Sequence, residues 1–247
     1  MKLTNVILAA AIAIGVVFLS GLGFWQVKRL AWKEALIQRV ETNLSAAPLT
    51  LAEIDAMHQR GEDFEYRPVK LAGEFDHSGE QHFFATHKGS PGYFVYTPLK
   101  LETGAYIFVN RGYVPLEQKA SSGREAGQVT GRVEIEGLAR SAPDAKPNTF
   151  VPDNDLAKNV YHWKSLDQMT ARAFASGSGE SGGPVMPFFV DAGDTANPGG
   201  LPQGGVTLIE FPNNHLQYAI TWFGLAATLL VVGGFFLFGR IRGNSPL

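Results

Sequence analysis

Residues 3–27, LTNVILAAAIAIGVVFLSGLGFWQV, form a run of 25 residues without a formal charge. A second uncharged run of 24 residues, LQYAITWFGLAATLLVVGGFFLFG, covers 216–239. Each run exceeds the roughly 20 apolar residues that a helix needs to cross a bilayer. The first is also too long for the apolar region of a cleavable signal peptide, although its many small residues suit one. The pattern therefore predicts two transmembrane helices, at 1–28 and 213–240, and a short tail at 241–247.

The charges that flank the two runs give conflicting signals on membrane orientation. Lys2, Arg240 and Arg242 favour cytoplasmic termini, whereas a second group favours the reverse, namely Lys28, Arg29, Lys33 and Arg39. Long domains cross membranes largely regardless of charge, so the short tails are decisive. We expect both termini in the cytoplasm and the central domain outside it. No transit sequence rich in Arg and Ser precedes the first run, which favours a bacterial cytoplasmic membrane and a periplasmic domain.

Residues 29–212 predict one β-rich domain that carries short helices. The helical pattern of the first run continues to about Val40. Thr50 with Glu53, and Ser165 with Gln168, have the spacing of helix N-terminal caps. Seven short runs rich in aromatic and β-branched residues predict strands: 67–75, 81–87, 93–99, 106–110, 132–139, 187–192 and 206–212. The expected class is a membrane-bound α+β protein with an antiparallel sandwich or barrel-like sheet and Gly-rich loops near 176–205.

The composition argues against several functions. The chain has no cysteine and four methionines, which excludes disulfides and Cys nucleophiles and makes a soft copper site improbable. A net charge of -2 without a basic cluster argues against a nucleic-acid partner. GESGG at 179–183 matches the hydrolase pattern around Ser181 but lacks the strand and helix that such a nucleophile needs. His58, His77, His82 and His87 fit no metal-site spacing. We expect no enzymatic activity.

A histidine stands at the start of the second span. His215, Tyr218 and Trp222 follow helical spacing, while Trp25 and Arg29 lie at the matching end of the first span. Aromatic residues and a histidine at this depth are typical of an interfacial anchor. An imidazole among aromatic rings, with a cation at the rim, is also the composition of a heme site. The pattern leaves both interpretations open.

Several blocks along the chain resemble those of the Surfeit locus protein 1 family, membrane factors for cytochrome c oxidase assembly. GLGFWQVKRLAWKEALI at 21–37 is similar to the family signature Gly-x-Trp-Gln-x-x-Arg-x-x-Trp-Lys. In chain order the other blocks are RPVKLAGEF (67–75), GYFVYTPL (92–99), FVNRGYVP (108–115), FVPDNDLAKNVYHW (150–163), PFFVDA (187–192) and NNHLQYAITWFGLA (213–226). Tyr113 stands where the family pattern has Trp.

The resemblance implies a role in maturing oxidase subunit I, tied in bacterial members to binding heme A and making it available for insertion. His215 matches the histidine expected to ligate the heme iron. The candidate pocket residues are then Trp25, Arg29, Tyr218 and Trp222, and a structural role in pairing the two spans is the alternative for them. Expected partners are oxidase subunit I, heme A synthase and the lipid bilayer. Arg67, Asn110, Arg111 and Gly112 are expected to have structural or partner-contact roles, with Gly112 at a turn that needs a positive φ. A cofactor-free scaffold for an oxidase intermediate is the alternative.

Overall fold

A computed structural model describes residues 3–175, 183–207 and 211–242. The chain divides into two compact units. One combines Met1–Arg39 with Glu210–Leu247 and is referred to as the helix pair, and the other is Val40–Ile209. The fold class expected from the sequence is confirmed, because two helices that can span a membrane flank a β-rich domain.

The helix pair is built from α1 (Leu3–Leu44) and α4 (His215–Arg242), both long and apolar enough to cross a membrane. The helices run antiparallel, since Gly15 packs against Leu229 and Gly23 packs against Phe223. An added Cβ at either glycine would come within 2.7 Å of its partner side chain. Because glycine has no side chain, Gly15 and Gly23 let the two helices approach closely, as small residues do in other membrane helix pairs.

The second unit contains seven strands in one sheet. In chain order they are β1 (Leu49–Thr50), β2 (Pro68–Phe75), β3 (Gln81–His87), β4 (Ser90–Leu101), β5 (Tyr106–Pro115), β6 (Arg132–Ser141) and β7 (Val185–Ala192). Their order is β1-β2-β6-β7-β5-β4-β3, and a further pairing between β2 and β4 closes five strands into a barrel. Two pairings, β1 with β2 and β5 with β7, are parallel, and the remaining pairings are antiparallel.

Barrel closure depends on a glycine in β2. Gly73 pairs with Leu101 where β2 meets β4. A Cβ on Gly73 would collide with the carbonyl oxygen of Lys100. Only a residue without a side chain lets the two backbones approach this closely, so Gly73 is where the sheet can close.

The central strand β5 separates two buried clusters. Ile107 and Val109 belong to a cluster that also contains Ile54, Phe188 and Val190. Alternate residues on the opposite face, Phe108 of β5 and Phe189 of β7, pack instead with Tyr96, Tyr161 and Met169. Side chains of a strand alternate between faces, so a strand buried on both sides needs this unbroken apolar sequence.

Both predicted helix caps are present. Thr50 accepts a hydrogen bond from the amide of Glu53, whose carboxylate accepts one from the Thr50 amide, at the start of α2 (Leu51–Gln59). Ser165 caps α3 (Leu166–Ala173) by accepting from the Gln168 amide at 3.4 Å. Short 3-10 turns lie at His77–Gly79, Leu116–Gln118, Ser121–Gly123, Glu125–Gly127 and Pro198–Gly200.

Six of the seven predicted strands coincide with strands of the sheet. The seventh, 206–212, lies partly outside the described residues, and its described positions 206–207 and 211–212 are not in a strand. The GESGG motif and the first Gly-rich loop also lie outside them, apart from Gly183.

Candidate functional site

The first residue of α4 is hydrogen bonded to α1. His215 Nδ1 lies 2.7 Å from Gln26 Oε1, a contact between residues 189 positions apart. Gln26 is only 8% exposed, and His215 is half-buried. The backbone N–H of His215 points to Asn213 Oδ1 at 3.4 Å, and the Tyr218 amide donates to the Asn214 carbonyl. The contacts at the start of α4 and the hydrogen bond to α1 together fix the position of the imidazole.

The contact with Gln26 determines which nitrogen of His215 can bind a ligand. An amide oxygen only accepts hydrogen bonds, so Nδ1 must carry the ring proton. Nε2 is then the nitrogen that can present a lone pair, and no described residue is hydrogen bonded to it. Histidines that ligate metals usually donate their other N–H to such an acceptor, which fixes the tautomer and raises the basicity of the ligand. This is the arrangement of a histidine that can ligate a metal ion through Nε2.

The four other predicted site residues lie within two turns of this contact along their own helices. Trp25 is the neighbour of Gln26 and is 53% exposed, and Tyr218 is 54% exposed. Trp222 is partly buried. Arg29 is exposed, and its guanidinium carbon lies 4.7 Å from the centroid of the Trp32 ring. These residues therefore lie near His215 along the two helices, and Trp25 and Tyr218 are more than half exposed.

Gln26 is the residue of the candidate site that the sequence interpretation missed. It lies inside the quoted signature, but no role was predicted for it. A signal was present, because a primary amide in an otherwise apolar membrane segment loses its water contacts and needs a partner. Helical spacing alone could not show that this partner is His215.

The apolar part of the helix pair carries a groove between its helices. It has a volume of 670 Å³ and is lined by Leu8, Ile12, Leu19, Leu225, Thr228, Leu229, Val232, Gly233 and Phe236. The lining is almost wholly apolar, so this groove supplies no iron ligand. His215 is the one histidine in the sequence of the helix pair, and it lies where α4 begins, outside this groove.

The barrel holds a buried polar network around Asp191. Arg140 donates to one oxygen of this carboxylate at 2.6 Å and Asn110 to the other at 3.0 Å, and Thr207 donates as well. Burial works to raise the pKa of Asp191, but the charges of Lys164 and Arg140 outweigh it and hold the pKa below its usual value. Asn110 therefore bridges β5 and β7, which agrees with a structural role.

A second buried network joins three charged or titratable groups of the domain. Arg124 donates to both carboxylate oxygens of Glu80, and His82 Nε2 lies 3.1 Å from one of them. Burial alone would raise the pKa of Glu80, but the hydrogen bonds from His82 and Arg124 prevail and lower it to about 2. The carboxylate is therefore ionised at neutral pH and acts as a fixed anion.

Gly112 has the positive φ that the sequence predicts, at 124°. It lies within β5 and not at a turn: Arg111 and Gly112 together face the single residue Val95, forming a β-bulge. A Cβ on Gly112 would also collide with the carbonyl oxygen of Gln203. The bulge therefore needs glycine for both its backbone angle and its close contact.

Comparison with known proteins agrees with these features. The family model described as the SURF1 family matches residues 13–227, most of the chain. The chain belongs to the SURF1 family. It is 36% identical to Surfeit locus protein 1 of Rattus norvegicus over 223 residues, covering 84% of this chain and 68% of that protein.

Other SURF1 relatives are equally similar. Surfeit locus protein 1 of Homo sapiens is 35% identical, with 84% of this chain and 70% of that protein covered. A SURF1-like protein of Monosiga brevicollis is 36% identical over 240 residues, with 91% and 84% covered. The resemblance found in the sequence blocks is thus confirmed, and the family is one of cytochrome c oxidase assembly factors.

Proposed function

We propose that this SURF1 protein binds heme A through His215 and assists its insertion into subunit I of cytochrome c oxidase. The hydrogen bond between Gln26 and His215 is the observation that supports this proposal. It orients the imidazole through Nδ1 and leaves Nε2 as the nitrogen that would bind iron. The proposed role is that of a non-catalytic assembly factor.

In this proposal heme A is cargo, and its chemistry is used in the oxidase. His215 would hold the iron, while Trp25, Tyr218 and Trp222 would contact the macrocycle. Arg29, at the rim, would pair with propionates. The exposure of Trp25 and Tyr218 suits release, because a ligand that must be handed on cannot be enclosed on every side.

We further propose that the protein lies in a bacterial cytoplasmic membrane with both termini in the cytoplasm. The domain Val40–Ile209 would then be periplasmic. Subunit I would be the recipient of the heme, and heme A synthase would be its source. The two membrane-spanning helices support a membrane location, and the charge pattern of the short tails supports this orientation.

A cofactor-free scaffold is the second candidate, and one observation favours it. A hydrogen bond between two polar side chains in the membrane can serve solely to hold the helices together. The same contact that orients His215 could therefore pair α1 with α4, while the domain binds an oxidase intermediate.

Titration of heme A into the detergent-purified apoprotein separates these candidates. The wild type is expected to bind one heme with a Soret band typical of histidine ligation, and His215→Ala to lose it. Gln217→Ala, an exposed substitution two residues further along the same helix, is the matched control. If His215→Ala binds heme A as tightly as the wild type, His215 is not the ligand. If neither binds heme while both copurify with subunit I, the scaffold is supported.

A further inference from the structure

Arg111 is a buried cation without a carboxylate partner among the described residues. Its side chain belongs to the most deeply buried of the domain, and the residue is 2% exposed. Glu80 is the acidic residue whose charge acts on Arg111. Its carboxylate, however, is already hydrogen bonded to Arg124 and His82. Burying an arginine without a counter-ion is costly. The position therefore has to be explained by what else the guanidinium contacts.

The contacts of Arg111 with the protein use only part of its donors. Nη2 donates to the Gly127 carbonyl and, at 3.4 Å, to Asn197 Oδ1. Nη1 lies 3.5 Å from His77 Nδ1, and the guanidinium carbon lies 4.6 Å from the Phe75 ring centroid. Nε has no partner among the described residues. Nε is enclosed, but Nη1 has two N–H donors and a single contact at 3.5 Å, so a donor remains for an anionic acceptor.

The neighbouring histidine does not neutralise or satisfy this charge. His77 Nε2 lies 2.7 Å from the Val129 carbonyl, so it carries the proton and leaves Nδ1 as an acceptor for Arg111. Burial lowers the pKa of His77, which keeps the ring neutral at pH 7. Burial also lowers the pKa of Arg111 to about 10, so the guanidinium stays charged at that pH. Arg111 therefore adds a buried positive charge that no described carboxylate contacts.

Arg111 lines a cavity of 220 Å³ whose other walls are mainly apolar. Those walls are Phe75, Val129, Val133, Ile135, Ala192 and Ala196. Thr195 and Asn197 add polar groups. An apolar cavity of about 150 Å³ holds benzene. This cavity thus has room for a six-membered ring with one small substituent.

Two carboxylates also line the cavity, and each has a cationic neighbour. Glu136 lies 2.5 Å from Lys70, and Glu134 lies 4.0 Å from Arg132. Both glutamates are exposed. Their charges are therefore screened by water and by these lysine and arginine side chains, whereas the Arg111 charge is buried.

We propose that this cavity binds a small monocarboxylate with an apolar body, whose carboxylate contacts Arg111 and whose body packs against the apolar walls. Charge-assisted hydrogen bonds to a buried guanidinium are stronger than those between neutral groups. The site is separate from His215 and does not depend on heme binding.

Benzoate is a suitable probe, and benzyl alcohol is its neutral counterpart of similar size. Calorimetric titration of the detergent-purified full chain, with detergent-only blanks, is expected to show saturable binding of benzoate. Benzoate should bind at least about tenfold more tightly than benzyl alcohol, because only the carboxylate uses the charge of Arg111. Equal binding of the two probes, or no saturable binding of benzoate, would overturn the proposal.

Two variants test the assignment to this cavity. Arg111→Gln removes the charge and is expected to reduce benzoate binding to the level of benzyl alcohol, whereas Arg60→Gln, at an exposed ion pair with Glu62, should leave it unchanged. Ala192→Leu enlarges a half-buried side chain that lines the cavity, keeps Arg111, and is expected to weaken both probes. If Arg111→Gln does not fold, the Ala192→Leu result decides: undiminished benzoate binding in that variant contradicts the proposal.

Discussion

Replacing Gln26 with leucine removes the acceptor of the His215 Nδ1 proton while keeping a side chain of similar length. The contact is short, at 2.7 Å, and its Gln26 end is buried. Leucine is also well suited to a membrane helix, so helix formation itself should not suffer. The substitution therefore changes mainly the orientation and basicity of the imidazole.

The structure sets the size of the expected effect. A buried hydrogen bond contributes about 1 kcal/mol net, and leaving one partner unsatisfied costs about 1–3 kcal/mol. Loss of a partner behind a metal-ligating histidine weakens metal binding by about 10–100-fold. We expect Gln26→Leu to bind heme A about tenfold more weakly than the wild type. Gln26→Glu restores an acceptor at the same position and should recover most of the affinity.

The assay is an optical titration of each purified variant with heme A, which yields a dissociation constant. Gln217→Leu is the matched control, because it makes the same replacement at an exposed position of α4. Circular dichroism establishes that the variants retain their helices. A folded Gln26→Leu protein with the affinity of the wild type would refute the argument that Gln26 orients His215.

Three further predictions follow from packing and charge. Gly112→Ala should lower the free energy of unfolding, measured in denaturant melts, by more than about 3 kcal/mol. Gly131 also has a positive φ, but a Cβ there would meet open space, so Gly131→Ala should cost only about 1–2 kcal/mol. The pKa of Glu80 is about 2 in the folded protein, against an ordinary value of 4.5. Up to about 3 kcal/mol of stability, present above pH 4.5, should therefore be lost as the pH falls towards 2. Glu80→Gln should remove this pH dependence of the free energy of unfolding. Gly23→Leu should separate the paired helices because its Cβ would lie 2.7 Å from a packed ring, and Gly21→Leu should not, as cysteine cross-linking across the pair can measure.

Local sequence patterns determine much of this fold. The two uncharged runs predict both membrane helices, the Thr50 and Ser165 caps predict α2 and α3, and aromatic and β-branched runs predict six strands. Each of these signals depends on residues within a few positions of one another. That is why they can be recognised in one sequence.

Closure of the barrel and the parallel pairing of β5 with β7 depend on distant parts of the chain. Gly73 permits closure only because Lys100 lies opposite it, and nothing local to either residue shows this. The bulge at Gly112 is similar, since its neighbour Gln203 comes from a loop after β7. A positive φ was predictable from the residue type, but its place inside a strand was not.

The candidate site shows the same division. His215 drew attention as an ionisable residue at the start of a membrane span, and the family resemblance made it the expected heme ligand. Gln26 was not predicted, because its role exists only once α1 and α4 are paired. The Arg111 cavity likewise brings together β2, β5, β6 and the loop after β7. Sequence reasoning finds residues with unusual chemistry, and the fold supplies their partners.

The measurement that tests the central claim most directly is the heme content of protein purified from cells that make heme A. The wild type and His215→Ala are purified side by side, an optical spectrum is recorded, and the heme is identified by pyridine extraction. We predict about one heme A per wild-type chain and almost none in His215→Ala. A wild type that contains no heme yet copurifies with oxidase subunits would contradict the account and leave the scaffold role.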